Sequence, residues 1–256
     1  MNLSDAPSLL RPREAILLVA GTGSRLHPYT LKKPKCLLEV GGSALLERLL
    51  RQLETLEIGR VVLVTGFQNE FLMDTARGYG LSIELEEAFC PTYDMENNAV
   101  SLLTGMKALK EKSFLLCDGD ILLKEVTPLR GLLTSARENE LATIAFENLG
   151  AEEMKVEVGP DEKVLFLSKD LDPEGAHGES LGIQKIGPSI FEALMEQLEA
   201  MNQEERIRLY YEDLFSELIK AGAQFFAASF PSDCWTEIDT AEDLEKARQM
   251  ARQWDL

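Results

Sequence analysis

A chain of 256 residues, 45% hydrophobic and 27% charged, has the make-up of a globular protein with room for one large α/β domain or two small ones. Its formal charge of −18 excludes a nonspecific nucleic-acid binder, since affinity for a phosphate backbone comes from counterions displaced by Lys and Arg. Apolar runs such as SFLLC and VVLV fall far short of the roughly 20 residues a membrane span requires, and Cys36, Cys90, Cys117 and Cys234 lack the close spacing of a zinc site.

MNLSDAPSLLRPRE has neither the basic start nor the apolar core of a signal peptide, so residues 1–13 read as a leader and a cytoplasmic protein with reduced thiols is expected. AILLVA (15–20) has the length of one buried strand and feeds GTGSRLHPYTLKKPK (21–35). SALLERLLRQLETLEI (43–58) repeats leucine at helical spacing, RVVLVTG (60–66) reads as a strand, and NEFLMDTARGYG (69–80) as a helix stopped by glycine. LSIELEE (81–87) alternates like a strand, NAVSLLTGMKALKEK (98–112) returns to helical spacing, and SFLLCDGD (113–120) is a strand running into acids. This alternation predicts a Rossmann-like α/β fold, a mostly parallel sheet with helices on both faces and ligands at the carboxyl ends of its strands.

The second half opens with short strands at 141–148, 154–158 and 163–168. The Gly-Pro-Asp signals of EVGPDEKV (157–164) mark a hairpin. Helices at 188–201 and 210–221, strands within 224–230 and 234–239, and a final helix from Thr240 complete the reading; its T-x-x-D start resembles a capping box. With no repeat and no Pro-, Gly- or Ser-rich linker, one domain over 1–256 is expected, its β meander at 141–186 forming a subregion or lid.

The glycine loop is neither of two common phosphate loops: Leu26 stands where G-x-G-x-x-G needs its third glycine, and the Gly-Lys-Ser/Thr of a Walker A loop is absent. What stands there is G-x-G-S-R-L-x-P-x-T-x-x-x-P-K. Glycines let a backbone approach a triphosphate, Arg25 offers a planar fork to phosphate oxygens, and Lys35 delivers a point charge. CDGD (117–120) and TEID (236–239) each put carboxylates at a strand end, hard oxygen ligands suited to Mg²⁺.

Gly21, Gly23, Ser24, Arg25, Pro28, Thr30, Pro34 and Lys35 match the signature of the sugar-phosphate nucleotidyltransferase superfamily, which the chain resembles over nearly its whole length. Within it, NNAVSL (97–102), LYYEDLFSEL (209–218) and WTEIDTAEDLEKA (235–247) are most similar to the phosphocholine and 2-aminoethylphosphonate cytidylyltransferases. The resemblance implies nucleotide contacts from Ala20, Gly21, Thr22, Gly23, Ser24, Asn97, Asn98 and Ser101, and catalysis by Lys35 and Arg25. It implies Mg²⁺ on Asp120 and Asp239, with Glu237 behind them. The expected partners are CTP and a small amine-bearing phosphate or phosphonate ester, with no nucleic acid and no membrane, in a monomer or homodimer.

Acceptor contacts are expected from Tyr210, Asp213 and Glu179, because an ammonium gains roughly 0.5–2 kcal/mol over an aromatic face and more from carboxylates nearby. Helical spacing puts Tyr210 and Asp213 on one face and turns Tyr211 and Glu212 progressively away, which ranks Asp213 as the amine partner. Met154 occupies the place where some phosphocholine enzymes carry tryptophan. His27 and His177 are not read as catalytic. A sugar-1-phosphate nucleotidyltransferase and a catalytically silent nucleotide-binding regulatory domain are the alternatives.

Overall fold

The computed structural model describes residues 11–145 and 150–256. Most of the expected leader, and the end of the strand expected at 141–148, lie outside the described residues.

β1 (Glu14–Leu18) runs into the glycine loop, and the short strands β2 (Glu39–Val40) and β3 (Ser43–Ala44) pair before α1 (Leu45–Thr55). β4 (Arg60–Thr65), α2 (Asn69–Arg77), β5 (Glu84–Phe89) and α3 (Asn98–Met106) continue the alternation. Next come β6 (Phe114–Asp118), β7 (Ile121–Leu123), α4 (Thr127–Thr134), β8 (Glu140–Ile144), β9 (Lys155–Val158), β10 (Val164–Ser168) and β11 (Gly178–Ile186). The chain closes with α5 (Pro188–Ala200), α6 (Gln203–Arg208), α7 (Tyr211–Lys220), β12 (Phe226–Ser229), β13 (Trp235–Glu237) and α8 (Ala241–Gln253).

Among the described residues nine strands share one sheet, parallel at its centre in the order β6, β1, β4, β5. The chain lays β4 and β5 on one side of β1 and returns to set β6 on the other. The topological switch therefore falls between β1 and β6, where open α/β sheets form their ligand crevice. β11 is antiparallel to β6 over Ile183–Ile186, and its start, Gly178–Glu179, pairs with β9 beyond the carboxyl end of β6. The β9–β10 hairpin predicted from Gly-Pro-Asp therefore rises beside the crevice.

Alternation along the strands feeds two core layers. Ala15 and Leu17 pack with Leu46, Leu49, Leu50 and Leu53 of α1, whereas Ile16 packs on the other face with Leu102, Leu194 and Leu214 of α3, α5 and α7. Each fully buried leucine is worth about 1.5–3 kcal/mol, so one apolar face is enough to seat α1. A third cluster buries Leu26 of the glycine loop against Leu244, Ala247 and Ala251 of α8. The terminal helix thus braces the loop, and its predicted cap is present: Thr240 accepts from Asp243 N and donates to the Asp243 carboxylate. No helix among the described residues is long and apolar enough to cross a membrane. All four cysteines are buried free thiols.

Candidate active site

Three local arrangements build the crevice. In the first, Gly21–Arg25 leaves the end of β1, and the buried Thr30 hydroxyl donates to Gly23 O at 2.6 Å, closing the loop on itself. Pro34 then leads into a tight turn over Lys35–Leu37 whose first residue carries the ammonium group. In the second, Asp118 lies beside Leu18 in register, and Gly119 N donates to Leu18 O at 3.0 Å. A Cβ on Gly119 would stand 2.4 Å from Val19 Cγ1 and 2.8 Å from Leu18 O, so only glycine lets the acid loop close on the glycine loop. In the third, β7 and β13 pair with Ile121 opposite Glu237, and Ile238 N donates to Asp120 O. That small two-stranded sheet brings the second acid segment to the first.

The charges meet at one point. Lys35 Nζ donates to Asp120 Oδ2 at 2.7 Å and to Asp239 Oδ1 at 2.5 Å, and Arg25 Nη2 donates to Asp239 Oδ2 at 2.8 Å. Burial alone would lower the Lys35 pKa, but Asp120 and Asp239 outweigh it and raise it. Burial likewise opposes ionisation of Asp239, yet Lys35 and Arg25 hold it below the usual carboxylate range. Glu237, half-buried and facing Asp120 and Asp239, is pushed up to about 8 by desolvation and by those two carboxylates. Asp120, Glu237 and Asp239 offer oxygens within 4.8 Å of one another, and Asp120 Oδ1 is buried without a hydrogen-bond partner. An oxygen-only set with an unused buried oxygen fits a hard divalent cation.

A cleft of about 520 Å³ extends from this point. It is lined by Gly21–Arg25, Lys35, Asp120, Asp239, Tyr93–Asn97 and Ile207. Of the residues expected to contact nucleotide, Gly21, Thr22, Gly23, Ser24 and Asn97 line it, whereas Ala20, Asn98 and Ser101 do not. Ala20 O accepts from Phe67 N, and Asn98 Oδ1 accepts from Tyr211 N at 3.1 Å, tying α3 to α7. Tyr93–Glu96 and Ile207 were not singled out in the sequence. The residues of PTYDMENN have no charge or glycine pattern, and α6 is six residues long.

The acceptor-side expectation is redistributed. α7 starts one residue later than expected, so Asp213 is in its first turn and Asp213 Oδ2 accepts from Tyr210 N at 2.8 Å. The carboxylate placed opposite the amine is thus a helix cap, with its pKa raised by burial despite that bond. Tyr211, expected to point away, is fully buried and donates its hydroxyl to Asp118 Oδ2 at 2.9 Å, while Gln184 Nε2 donates to Tyr211 Oη. Glu212 is buried too, and burial pushes it up to about 7. Tyr210 is half-buried against the core, and Lys169 Nζ sits over its ring, 4.5 Å from the centroid. Glu179 lies on β11 itself, pushed up to about 7 by burial and by Glu153. Met154 is buried in the core, and His177 Nδ1 accepts from Val158 N.

The model of the MobA-like NTP transferase domain matches residues 15–255. The chain is 25% identical over 217 residues to the bifunctional protein GlmU of Methanococcus maripaludis, covering 82% of this chain and 47% of that protein. It is 27% identical over 240 residues to the bifunctional IPC transferase and DIPP synthase of Aquifex aeolicus, covering 92% of this chain and 51% of the relative. It therefore spans about half the length of these relatives. Among solved structures, the inositol-1-phosphate CTP transferase from T. maritima has a TM-score of 0.79 at 21% identity, covering 96% of this chain and 97% of that one. The CTP:phosphocholine cytidylyltransferase from Streptococcus pneumoniae has a TM-score of 0.78 at 23% identity, covering 94% and 99%. At those identities the structures share the fold. The family match takes in β1, the glycine loop, both acid segments and α8, and the chain belongs to the MobA-like NTP transferase domain family.

Proposed function

We propose that the protein transfers CMP from CTP to a small phosphate or phosphonate ester bearing an ammonium group, releasing pyrophosphate. The observation that carries nucleotidyl transfer is the seating of Lys35 between Asp120 and Asp239 beneath the glycine loop, at the switch point of the sheet. A catalytically silent domain would not need this convergence of charge.

The acceptor oxygen forms a bond to the α-phosphorus as the bond to the β-phosphate oxygen breaks, and pyrophosphate leaves with the electron pair. The acceptor is already an anion at neutral pH, so no general base is required. The loop N–H groups, Arg25 and Lys35 align the triphosphate and neutralise charge that builds on its oxygens. Mg²⁺ held by Asp120 and Asp239, with Glu237 beside them, would add charge neutralisation at the triphosphate. Arg25 and Lys35 also serve those same carboxylates as counter-ions.

Support for an amine-bearing acceptor comes from the Tyr210 ring, which already holds the Lys169 ammonium, and from Glu179 and Glu212, whose raised pKa values a cationic ligand would relieve. CTP as donor rests on the NNAVSL and WTEIDTAEDLEKA segments, and on two CTP transferases that share the fold. A polyol phosphate is the competing acceptor, because one of those two is an inositol-1-phosphate CTP transferase. Pyrophosphate release decides between them. It is to be measured with four nucleoside triphosphates against phosphocholine, phosphoethanolamine, 2-aminoethylphosphonate, inositol 1-phosphate and a sugar 1-phosphate. CTP with an amine-bearing ester should give the highest kcat/KM; preference for either polyol overturns the acceptor reading.

A further inference from the structure

Arg25, Lys35, Asp94, Glu96, Asp120 and Asp239 are the charged residues of the cleft lining. The rest of its lining includes two large apolar side chains left open to solvent: Met95, 64% exposed, and Ile207, 56% exposed. They come from distant parts of the chain, and a strap joins the segments that carry them. Arg206 donates Nε to Glu96 Oε1 at 2.6 Å and Nη2 to Glu96 Oε2 at 3.2 Å. Asn97 N donates to Arg206 O at 2.8 Å, and Asn97 Nδ2 to Arg208 O at 3.1 Å. Ile207 lies between two anchored residues, so it cannot leave the cleft unless the strap opens. Their mutual hydrogen bonds lower the pKa of Glu96 and raise that of Arg206, keeping the pair ionised at neutral pH.

We propose that Met95 and Ile207 hold the nucleobase of the donor nucleotide, and that the Glu96–Arg206 ion pair is the positioning element that keeps Ile207 over the cleft. The inference rests on the nucleotidyltransferase reading. Continuity of the cleft fixes the occupant: with the phosphates at Arg25 and Lys35, the base must lie along the remaining lining. A base presents a planar apolar face to any flat or aliphatic partner. This contact therefore supplies affinity and positioning, and choice among bases falls to hydrogen-bonding groups of the loop. The same strap continues to Tyr211 through Asn98, so the segment that holds the base also sets the start of α7.

The test compares CTP with inorganic tripolyphosphate, which has the phosphates and no base, on the full-length protein. Ile207→Ala and Arg206→Gln should weaken CTP binding about tenfold, a loss in the range of one base contact, and raise KM for CTP with kcat little changed. Tripolyphosphate affinity should not move, and Ile207→Leu should restore CTP binding. Both probes weakened alike would show a merely structural role and overturn the proposal, as would unchanged CTP affinity in Ile207→Ala. If the wild-type protein prefers another nucleoside triphosphate, CTP fails as donor, and a selective loss with the preferred nucleotide still supports the clasp. Binding of tripolyphosphate but no nucleotide by the wild type overturns the clasp and the nucleotidyl-transfer reading together.

Discussion

Lys35 and Asp239 are 204 residues apart in the chain, and their charged atoms are 2.5 Å apart in the fold. Lys35 is therefore the counter-ion of two carboxylates, and under the proposed function it is a phosphate ligand as well. Lys35→Met keeps the length and removes the charge, so nucleotidyl transfer should fall at least about a hundredfold while the protein stays folded. The variant leaves Asp120, Glu237 and Asp239 facing one another without an ammonium between them. Its melting temperature in chelator should drop, and Mg²⁺ should raise it by more than it raises the wild type's. An equal Mg²⁺ response in both proteins would remove Lys35 from the cation site.

Asp120→Asn and Asp239→Asn test the same centre from the other side. Each preserves shape and deletes one negative charge. Turnover at saturating Mg²⁺ should fall by about two to three orders of magnitude, the scale of losing a preorganised electrostatic contact. Mg²⁺ affinity, read by calorimetry, should fall with it. Asp239→Asn should also release Arg25, which hydrogen-bonds to the second Asp239 oxygen. Full Mg²⁺-dependent turnover in both folded variants would sink the metal assignment.

The parts of this site legible in the sequence were those that local chemistry fixes. The T-x-x-D start of α8 and the Gly-Pro-Asp turn between β9 and β10 each specify a cap or turn within a few residues, and each is present. The acid segments were recognisable one by one. What joins them, the β7–β13 pair, was not, because three-residue strands have too few side chains to show a period. The faces of α7 were misread for a different reason. Counting 210–213 as helix put Asp213 toward the ligand, whereas the helix begins at Tyr211 and Asp213 turns back to cap it. With Tyr210 as N-cap, Asp213 is the third helical residue and its carboxylate is taken by the Tyr210 N–H, while Tyr211 and Glu212 are the residues that enter the core.

Glu179 gives the protein a calculable response to pH. Its folded pKa of about 7 lies above the ordinary value of 4.5, with burial and Glu153 raising it and Lys155 and Lys169 opposing. In that window the native state binds more protons than the unfolded state, so this group's contribution to stability falls as pH rises toward 7. Glu179→Gln should match the wild type in acid and be more stable at about pH 8, by on the order of 1–3 kcal/mol. Urea titrations across that range measure the difference. Phosphocholine should stabilise the wild type more at the alkaline end than at the acid end, because its cation favours the ionised carboxylate; inositol 1-phosphate should not. A variant whose stability runs parallel to the wild type's at every pH would remove Glu179 as the titrating group.

Asp118 of β6 and Gly182 of β11 form a close joint beside the acid loop. Gly182 has φ +67, and a Cβ there would stand 2.4 Å from Asp118 Oδ2, 3.0 Å from Cγ and 3.1 Å from Cβ. Asp118 cannot move aside freely, since its Oδ2 accepts the Tyr211 hydroxyl and its strand continues through Gly119 into Asp120. Gly182→Ala should therefore cost about 2–4 kcal/mol, part from left-handed backbone and part from displaced Asp118. The two parts separate in a double-mutant cycle. Asp118→Ala removes the obstructing carboxyl at the expense of the Tyr211 bond, and in that background Gly182→Ala should cost only the backbone strain, about 1–2 kcal/mol. Tyr211→Phe, which leaves Asp118 in place but without its donor, should cost about 1–3 kcal/mol and reduce kcat/KM for the acceptor more than CTP affinity. Additive losses in the Gly182–Asp118 cycle would mean that the close approach carries no strain.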